Sequence, residues 1–156
     1  MITEISQRDV VFTPFMLRIR AVLDSGTLPE GRRFRAERSE TCAIAVAVDE
    51  WVGLRAYAEH MVAEANAMLG PGVERIELRD EYGTGVLAFE LGWAGRRYRL
   101  FVRQEDRHSG RLETGDDHNG VPQRPSGASG IDDLVIDLIA GPARAGGDSS
   151  RDTSSV

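Results

Sequence analysis

Residues 84–104 read TGVLAFELGWAGRRYRLFVRQ, and in this stretch apolar and polar side chains alternate in two successive segments. The apolar side chains of the first segment, 84–93, share one face: Leu87, Phe89, Leu91 and Trp93. Those of the second segment, 96–104, do the same: Tyr98, Leu100 and Val102. Alternation is typical of a β-strand that is buried on one side, and Ala94-Gly95 has the length of a hairpin turn. We predict two antiparallel strands here.

A third strand precedes this hairpin, because residues 73–80 alternate in the same way. The three strands form a predicted antiparallel meander over 73–104. We expect strands within 33–48 to be able to extend the sheet. The second half of that stretch, TCAIAVAV (41–48), alternates as a strand does, while its alanines leave the start of the following helix as the alternative.

Two amphipathic helices accompany the sheet. The longer one covers 50–69, with Asp49 as its predicted N-cap and a Gly-Pro-Gly sequence at its end, and the shorter one covers 14–24. Since the helices and the strands each have one apolar face, we predict an α+β fold in which helices pack on one face of a small antiparallel sheet.

The predicted domain comprises residues 1–104. Gly, Ser, Asp and Pro dominate 105–130, and Gly and Ser dominate 141–156. Such segments bury too little apolar surface to offset the entropy of ordering, so we predict a disordered linker and a disordered C-terminal tail. Between them, 131–140 is a predicted amphipathic helix with apolar residues at helical spacing: Ile131, Leu134, Val135, Leu138 and Ile139.

The 131–140 helix has to pack on something, because an isolated helix of about ten residues is unstable in water. It packs either on its own domain, across the linker, or in a groove of another protein. Its five apolar residues are accordingly the predicted partner-binding residues, and the intramolecular packing stays open as the alternative.

Arginines occupy the polar face of the last strand of the meander. Guanidinium groups bind carboxylates and phosphates. Arg97 and Arg99, together with the aromatic Trp93 and Tyr82, are therefore the predicted ligand-binding residues for an anion. The alternative is that these arginines only form ion pairs across strands with acidic residues such as Glu90.

Several other kinds of site are disfavoured. Gly83-Thr84-Gly85 and Ala88 match a dinucleotide-binding pattern, but that site needs a helix after the glycines, and here a strand follows. His60 and Glu64 lie four residues apart on the long helix, and two ligands are too few for a metal site. We predict no catalytic residue, no metal site and no cofactor.

Composition indicates the cellular setting. The net charge of −6 disfavours binding to nucleic acid and to anionic membranes. No apolar run reaches the ~20 residues that span a bilayer, the first residues lack the apolar stretch of a signal peptide, and Cys42 is the only cysteine. We therefore expect a cytoplasmic protein. All 19 basic residues are arginine, which is typical of a GC-rich bacterial coding sequence.

Three functions stay open. The first is a non-enzymatic protein-binding or adaptor domain that uses the tethered 131–140 segment. The second is a domain, or a minor enzyme, that binds a small anionic molecule on the face of the sheet. The third is a structural or regulatory homodimer in which the second copy covers a sheet edge.

Overall fold

The computed structural model describes residues 11–25, 36–115 and 123–140. In these ranges the chain forms three helices and seven strands, in the order α1 Pro14–Ser25, β1 Ala36–Arg38, β2 Cys42–Ala43, α2 Ile44–Met68, β3 Glu77–Asp80, β4 Ala88–Trp93, β5 Arg96–Gln104, β6 Ser109–Thr114, β7 Gln123–Pro125 and α3 Gly127–Ala140. The predicted α+β class is confirmed. None of the described helices is both long and apolar enough to cross a membrane.

The described strands form one antiparallel sheet in the order β1-β7-β6-β5-β4-β3, and β2 pairs with β6 beside this path. Strands β4 and β5 form the predicted hairpin, in which Phe89 lies opposite Leu100. Ala94 and Gly95 have φ angles of 50° and 80°, as a two-residue turn of type I′ requires. The meander of β3, β4 and β5 is therefore one end of a larger sheet, with β3 at its edge.

Helices cover one face of this sheet. Helix α2 packs on β3, β5 and β6, helix α3 packs beside it on β4, β5 and β7, and α1 contacts both helices. The indole N–H of Trp51 in α2 donates to Leu100 O at 3.1 Å, and its ring packs edge-on against Phe89 with centroids 5.6 Å apart. The apolar core therefore lies between the helices and the covered face, and no described helix packs on the opposite face, which we call the open face.

Helices α1 and α2 begin differently from each other. Helix α1 follows its expected N-cap, since the Met16 N–H donates to Thr13 Oγ1 at 3.1 Å. Helix α2 begins at Ile44, after Ala43, so the predicted cap at Asp49 is wrong. The stretch 41–48 is a two-residue strand followed by helix. Helical spacing buries Ala47, Trp51 and Leu54 on one face of α2, whereas a strand would place Ala47 and Leu54 on opposite faces.

The prediction of a disordered linker over 105–130 is wrong wherever the structure describes that segment. Strands β6 and β7 lie within it, and only 116–122 falls outside the described residues. Strand β6 pairs with β5 and adds Leu112 to the core. Gly110 allows a close approach, because a Cβ there would lie 2.6 Å from Ile44 Cδ1 and 2.7 Å from Arg103 O. The low apolar content of 105–130 therefore did not prevent its described part from forming strands.

Helix α3 confirms the predicted apolar helix and extends it at its N-terminal end. All five of its predicted partner-binding side chains are buried in this chain's own core, together with Ile136. The chain thus adopts the intramolecular packing, and the domain extends past the predicted boundary at 104. The predicted C-terminal tail, 141–156, lies outside the described residues.

Candidate functional site

The open face of the sheet carries cross-strand ion pairs, the alternative that the sequence left open for the arginines. Arg97 Nη1 lies 3.2 Å from Glu90 Oε1, and Arg99 Nη2 lies 2.7 Å from Glu81 Oε2. The same face holds three further pairs: Arg79–Glu77, Arg103–Glu113 and Arg111–Glu105. The exposed pairs Arg79–Glu77 and Arg97–Glu90 contribute only about 0–1 kcal/mol each, whereas Glu113 is buried and pairs with both Arg103 and Arg111.

The four predicted ligand-binding residues do not converge. Tyr82 is 84% exposed in the loop before β4. The Trp93 indole N–H donates to Glu74 O at 2.9 Å on the side of the sheet opposite the arginine pairs. Arg97 lies beside Gly92. Arg99 lies further along β5, in the groove described next. Alternation along neighbouring strands separates the aromatic rings from the arginines.

A groove of about 460 Å³ opens beside β5, beyond the first residue of β4. Ala88, that first residue, lies opposite Phe101, so the last residues of β5 project past β4. One wall is the loop Gly85–Leu87, and the other is the start of α2 at Ile44 and Val48. A volume of roughly 300–1,000 Å³ is typical of sites that bind small molecules.

The groove has a basic side and an apolar side. Alternation along β5 places Arg99, Phe101 and Arg103 on the open face, whereas Val102 faces the start of α2. Phe101 is only 7% exposed because two guanidinium groups flank its ring, with the Cζ atoms of Arg99 and Arg103 4.5 and 5.4 Å from the ring centroid. Cation–π contact of this kind holds both guanidiniums at the rim of the groove.

Both guanidiniums keep N–H groups that a ligand could use. Glu81 accepts from Nη2 of Arg99, and both carboxylate oxygens of Glu113 accept from Nε of Arg103 at 3.0 Å. A guanidinium has five N–H donors. The hydrogen bond from Arg99 lowers the pKa of Glu81, so this pair is ionised at neutral pH. Among the described residues, no further acceptor is bonded to either arginine.

The floor of the groove also presents the backbone of a sheet edge. The Val102 N–H donates toward β4, to Leu87 O at 2.9 Å, and the Glu105 N–H donates to the opposite side, to Ser109 O at 3.0 Å. Because backbone groups alternate in direction along a strand, Gln104 turns its N–H and C=O to the side of Val102, into the groove. No described residue is hydrogen-bonded to either group.

Glycines explain why the chain leaves this edge unpaired. Gly83 and Gly85 have φ angles of 77° and 72°, a region that L-residues rarely adopt. The loop therefore turns away from β5 until Leu87. Strand β4 follows these glycines, and the helix that a dinucleotide site requires is absent from this part of the described chain.

The remaining buried or paired ionisable groups connect elements of the fold. Arg55 of α2 donates to both carboxylate oxygens of Asp80, at 2.7 and 2.8 Å, and these bonds lower the pKa of Asp80. The Tyr57 O–H donates to Asp132 of α3 at 2.7 Å, while burial raises the pKa of Asp132. Within the described ranges, no three His, Cys, Asp or Glu side chains are grouped to hold a metal ion.

Sequence reasoning missed most of the groove. Ile44 and Val48 were expected on a strand, and Gln104 stood at the expected end of the domain. One signal was present in 99–103, RLFVR, where an aromatic residue interrupts the polar face of a strand between two arginines. An aromatic side chain between two arginines on the polar face of a strand indicates a partly covered surface, such as a groove.

Comparison with protein-family models, with curated proteins and with solved structures finds no match for this chain. The groove itself is therefore the basis for a functional proposal.

Proposed function

We propose that this chain is a non-enzymatic binding domain that takes up an amphipathic anion, meaning a carboxylate attached to an apolar group, in the groove beside β5. The observation that supports this is the combination of two arginines with an apolar wall in one groove of about 460 Å³. The carboxylate accepts hydrogen bonds from Arg99 and Arg103. The apolar group replaces water against Ile44 and Val48.

Binding through 131–140 as a free docking segment is not proposed, because the apolar side chains of that helix are buried in the chain's own core. The groove, in contrast, combines hydrogen-bond donors and apolar surface, and pockets that orient a ligand with a few polar groups have this composition.

A fluorescent amphipathic carboxylate tests the proposal. We expect the full chain to bind dansyl-leucine, and to bind dansyl-leucinamide, which lacks the carboxylate, at least about tenfold more weakly, since a hydrogen bond to a charged group contributes about 1.5–3 kcal/mol. Arg103→Gln should weaken dansyl-leucine binding by a similar factor. Equal affinity for the two probes, or an unchanged affinity of the variant, would overturn the proposal.

Arg97→Gln is the matched control. Arg97 lies on the same strand and face as Arg103, the two side chains are 66% and 55% exposed, and each is paired with a glutamate. Arg97 does not line the groove, so its variant should change the affinity by less than about twofold, as expected for a surface position. Leu87→Trp, at a partly exposed wall position, should block the groove while circular dichroism stays unchanged.

A further inference from the structure

We infer that the occupant of the groove is an extended peptide segment of another protein, which adds to β5 as a short antiparallel strand with an apolar residue followed by an acidic residue. This inference rests on the proposed function, because it takes the groove as the binding site. It goes further by naming the chemical class of the ligand and its direction of pairing.

The backbone at the floor of the groove supports strand addition. In the β4–β5 register Ala88 lies opposite Phe101, so residue 85 would lie opposite Gln104 if β4 continued. The chain has instead turned away at Gly85. A peptide residue in this vacated position would accept from the Gln104 N–H and donate to its C=O, as a hydrogen-bonded antiparallel pair does.

The two sides of the groove match the alternation of an extended peptide. Residues opposite each other in a sheet share a face, so the peptide residue paired with Gln104 projects toward the covered face, where Ile44 and Val48 lie. In this register its following neighbour lies opposite Arg103 and projects to the open face, whereas its preceding neighbour lies opposite Glu105. The expected order is therefore an apolar residue followed by an acidic residue.

Two backbone hydrogen bonds are few for a strand-addition site, so side chains have to contribute much of the affinity. The groove meets this condition because it supplies an ionic and an apolar contact on opposite faces within three residues of β5. A compact amphipathic anion would use the same two side-chain contacts but would leave Gln104 unpaired. The backbone of Gln104 therefore distinguishes the two classes of ligand.

The test uses the unmodified full chain with three peptides and ¹⁵N NMR. The parent is Ac-Ala-Ala-Val-Asp-NH₂, which ends before the position opposite Val102 that Leu87 occupies. The second peptide carries N-methyl-valine, which keeps the side chains but removes the N–H that would donate to Gln104 O. The third, Ac-Ala-Asp-Val-Ala-NH₂, moves the acidic residue from the position opposite Arg103 to the position opposite Glu105. We expect the parent to bind, the other two to bind at least about tenfold more weakly, and exchange of the Gln104 amide to slow at least about tenfold in the parent complex.

The Glu105 amide is the internal control, because it already donates to Ser109 O and should not change. Equal binding of the N-methylated peptide, or unchanged exchange at Gln104, would overturn strand addition while leaving anion binding intact. Binding of dansyl-leucine with no binding of any peptide would do the same. Failure of dansyl-leucine and all peptides would overturn the proposed function as well.

Discussion

The outer edge of β3 and the edge of β5 inside the groove differ in how their backbone is protected. At β3 the side-chain carboxamide of Asn66 binds both backbone groups of Ile76, the residue just before the strand. The Ile76 N–H donates to Asn66 Oδ1 at 2.8 Å, and Asn66 Nδ2 donates to Ile76 O at 3.0 Å. The charged Glu77 and Arg79 follow. At β5 no described side chain occupies the backbone of Gln104, and the walls are apolar or carry arginine.

This difference separates an edge protected against strand addition from an edge available to it. Natural sheets protect their edges with charges, short strands and covering side chains, because an unprotected edge pairs with other chains. The chain has such protection at β3. At the shorter edge of β5, no residue in the described ranges gives such protection, and the groove there has side chains suited to a ligand. This is the physical basis of the proposals above.

The largest expected effect concerns α3, on which both edges depend because it packs against β4 and β5. Leu134 is 1% exposed in this helix. We expect Leu134→Ala to lower the free energy of unfolding by about 2–5 kcal/mol, the cost of a cavity left by a deleted core leucine. Urea denaturation measures this.

Leu17→Ala is the matched control for that substitution. Leu17 also lies on a helix but is 51% exposed, so its replacement should stay within about 0.5 kcal/mol of the original stability. If Leu134→Ala were equally mild, α3 would not be part of the core. The 131–140 segment would then be free to dock elsewhere, and the comparison of the two edges would lose its basis.

A smaller effect is expected at the protected edge. Asn66→Ala leaves the N–H and C=O of Ile76 without their side-chain partner, and an unsatisfied buried group costs about 1–3 kcal/mol. We also expect the variant to self-associate in concentration-dependent light scattering, because the edge of β3 becomes available. Gln104→Ala is the control, since its side chain donates only to Asp106 O in an exposed contact.

The Asn66 result bears directly on the comparison. A variant that loses no stability and stays monomeric would show that the carboxamide does not protect the β3 edge. The contrast between the two edges would then not distinguish a protected surface from a binding surface.

The smallest expected effect is on the pH dependence of stability. Hydrogen bonds from Arg55 lower the pKa of Asp80 from its ordinary 3.8, so the stabilisation is present above that value and is lost as the pH falls through the lowered pKa. Between about pH 5 and about pH 2, the free energy of unfolding of Asp80→Asn should therefore fall less than that of the original protein.

Asp132→Asn should change the slope in the opposite direction. Burial raises the pKa of Asp132, so the folded protein takes up this proton before the unfolded chain does and gains stability as the pH falls through the raised pKa. The variant lacks that gain, and its free energy of unfolding should fall more steeply over the same range. Parallel profiles for the original protein and both variants would contradict these assignments.

Much of the fold could be predicted from local patterns. The β4–β5 hairpin follows from alternation and from the Ala94-Gly95 turn, and α1 from its spacing and its Thr13 cap. The start of α2 could not be settled locally, because Ala and Val in 41–48 suit a strand and a helix alike. Burial of Ala47 together with Trp51 and Leu54 on one face decides for helix, and those contacts are made only in the folded chain.

The misassigned segment, 105–130, shows the limit of composition. Strand β6 contributes a single apolar side chain, Leu112, to the core. Gly110 allows β6 to lie close to Ile44 and Arg103, and no local sequence pattern indicates that contact. The groove was missed for the same reason, because it exists only where β4 stops short of β5 and α2 begins beside them. Of its residues, Arg99 was predicted as a ligand-binding residue, and Phe101 between two arginines was the remaining local signal.

Amide hydrogen exchange in the free full chain tests the contrast between the two edges most directly. After correction for intrinsic rates, the Gln104 N–H should exchange at least about tenfold faster than the Glu105 N–H, which is bonded to Ser109 O, and faster than the Ile76 N–H, which is bonded to Asn66. Protection of Gln104 equal to that of Glu105 would contradict an open edge at β5.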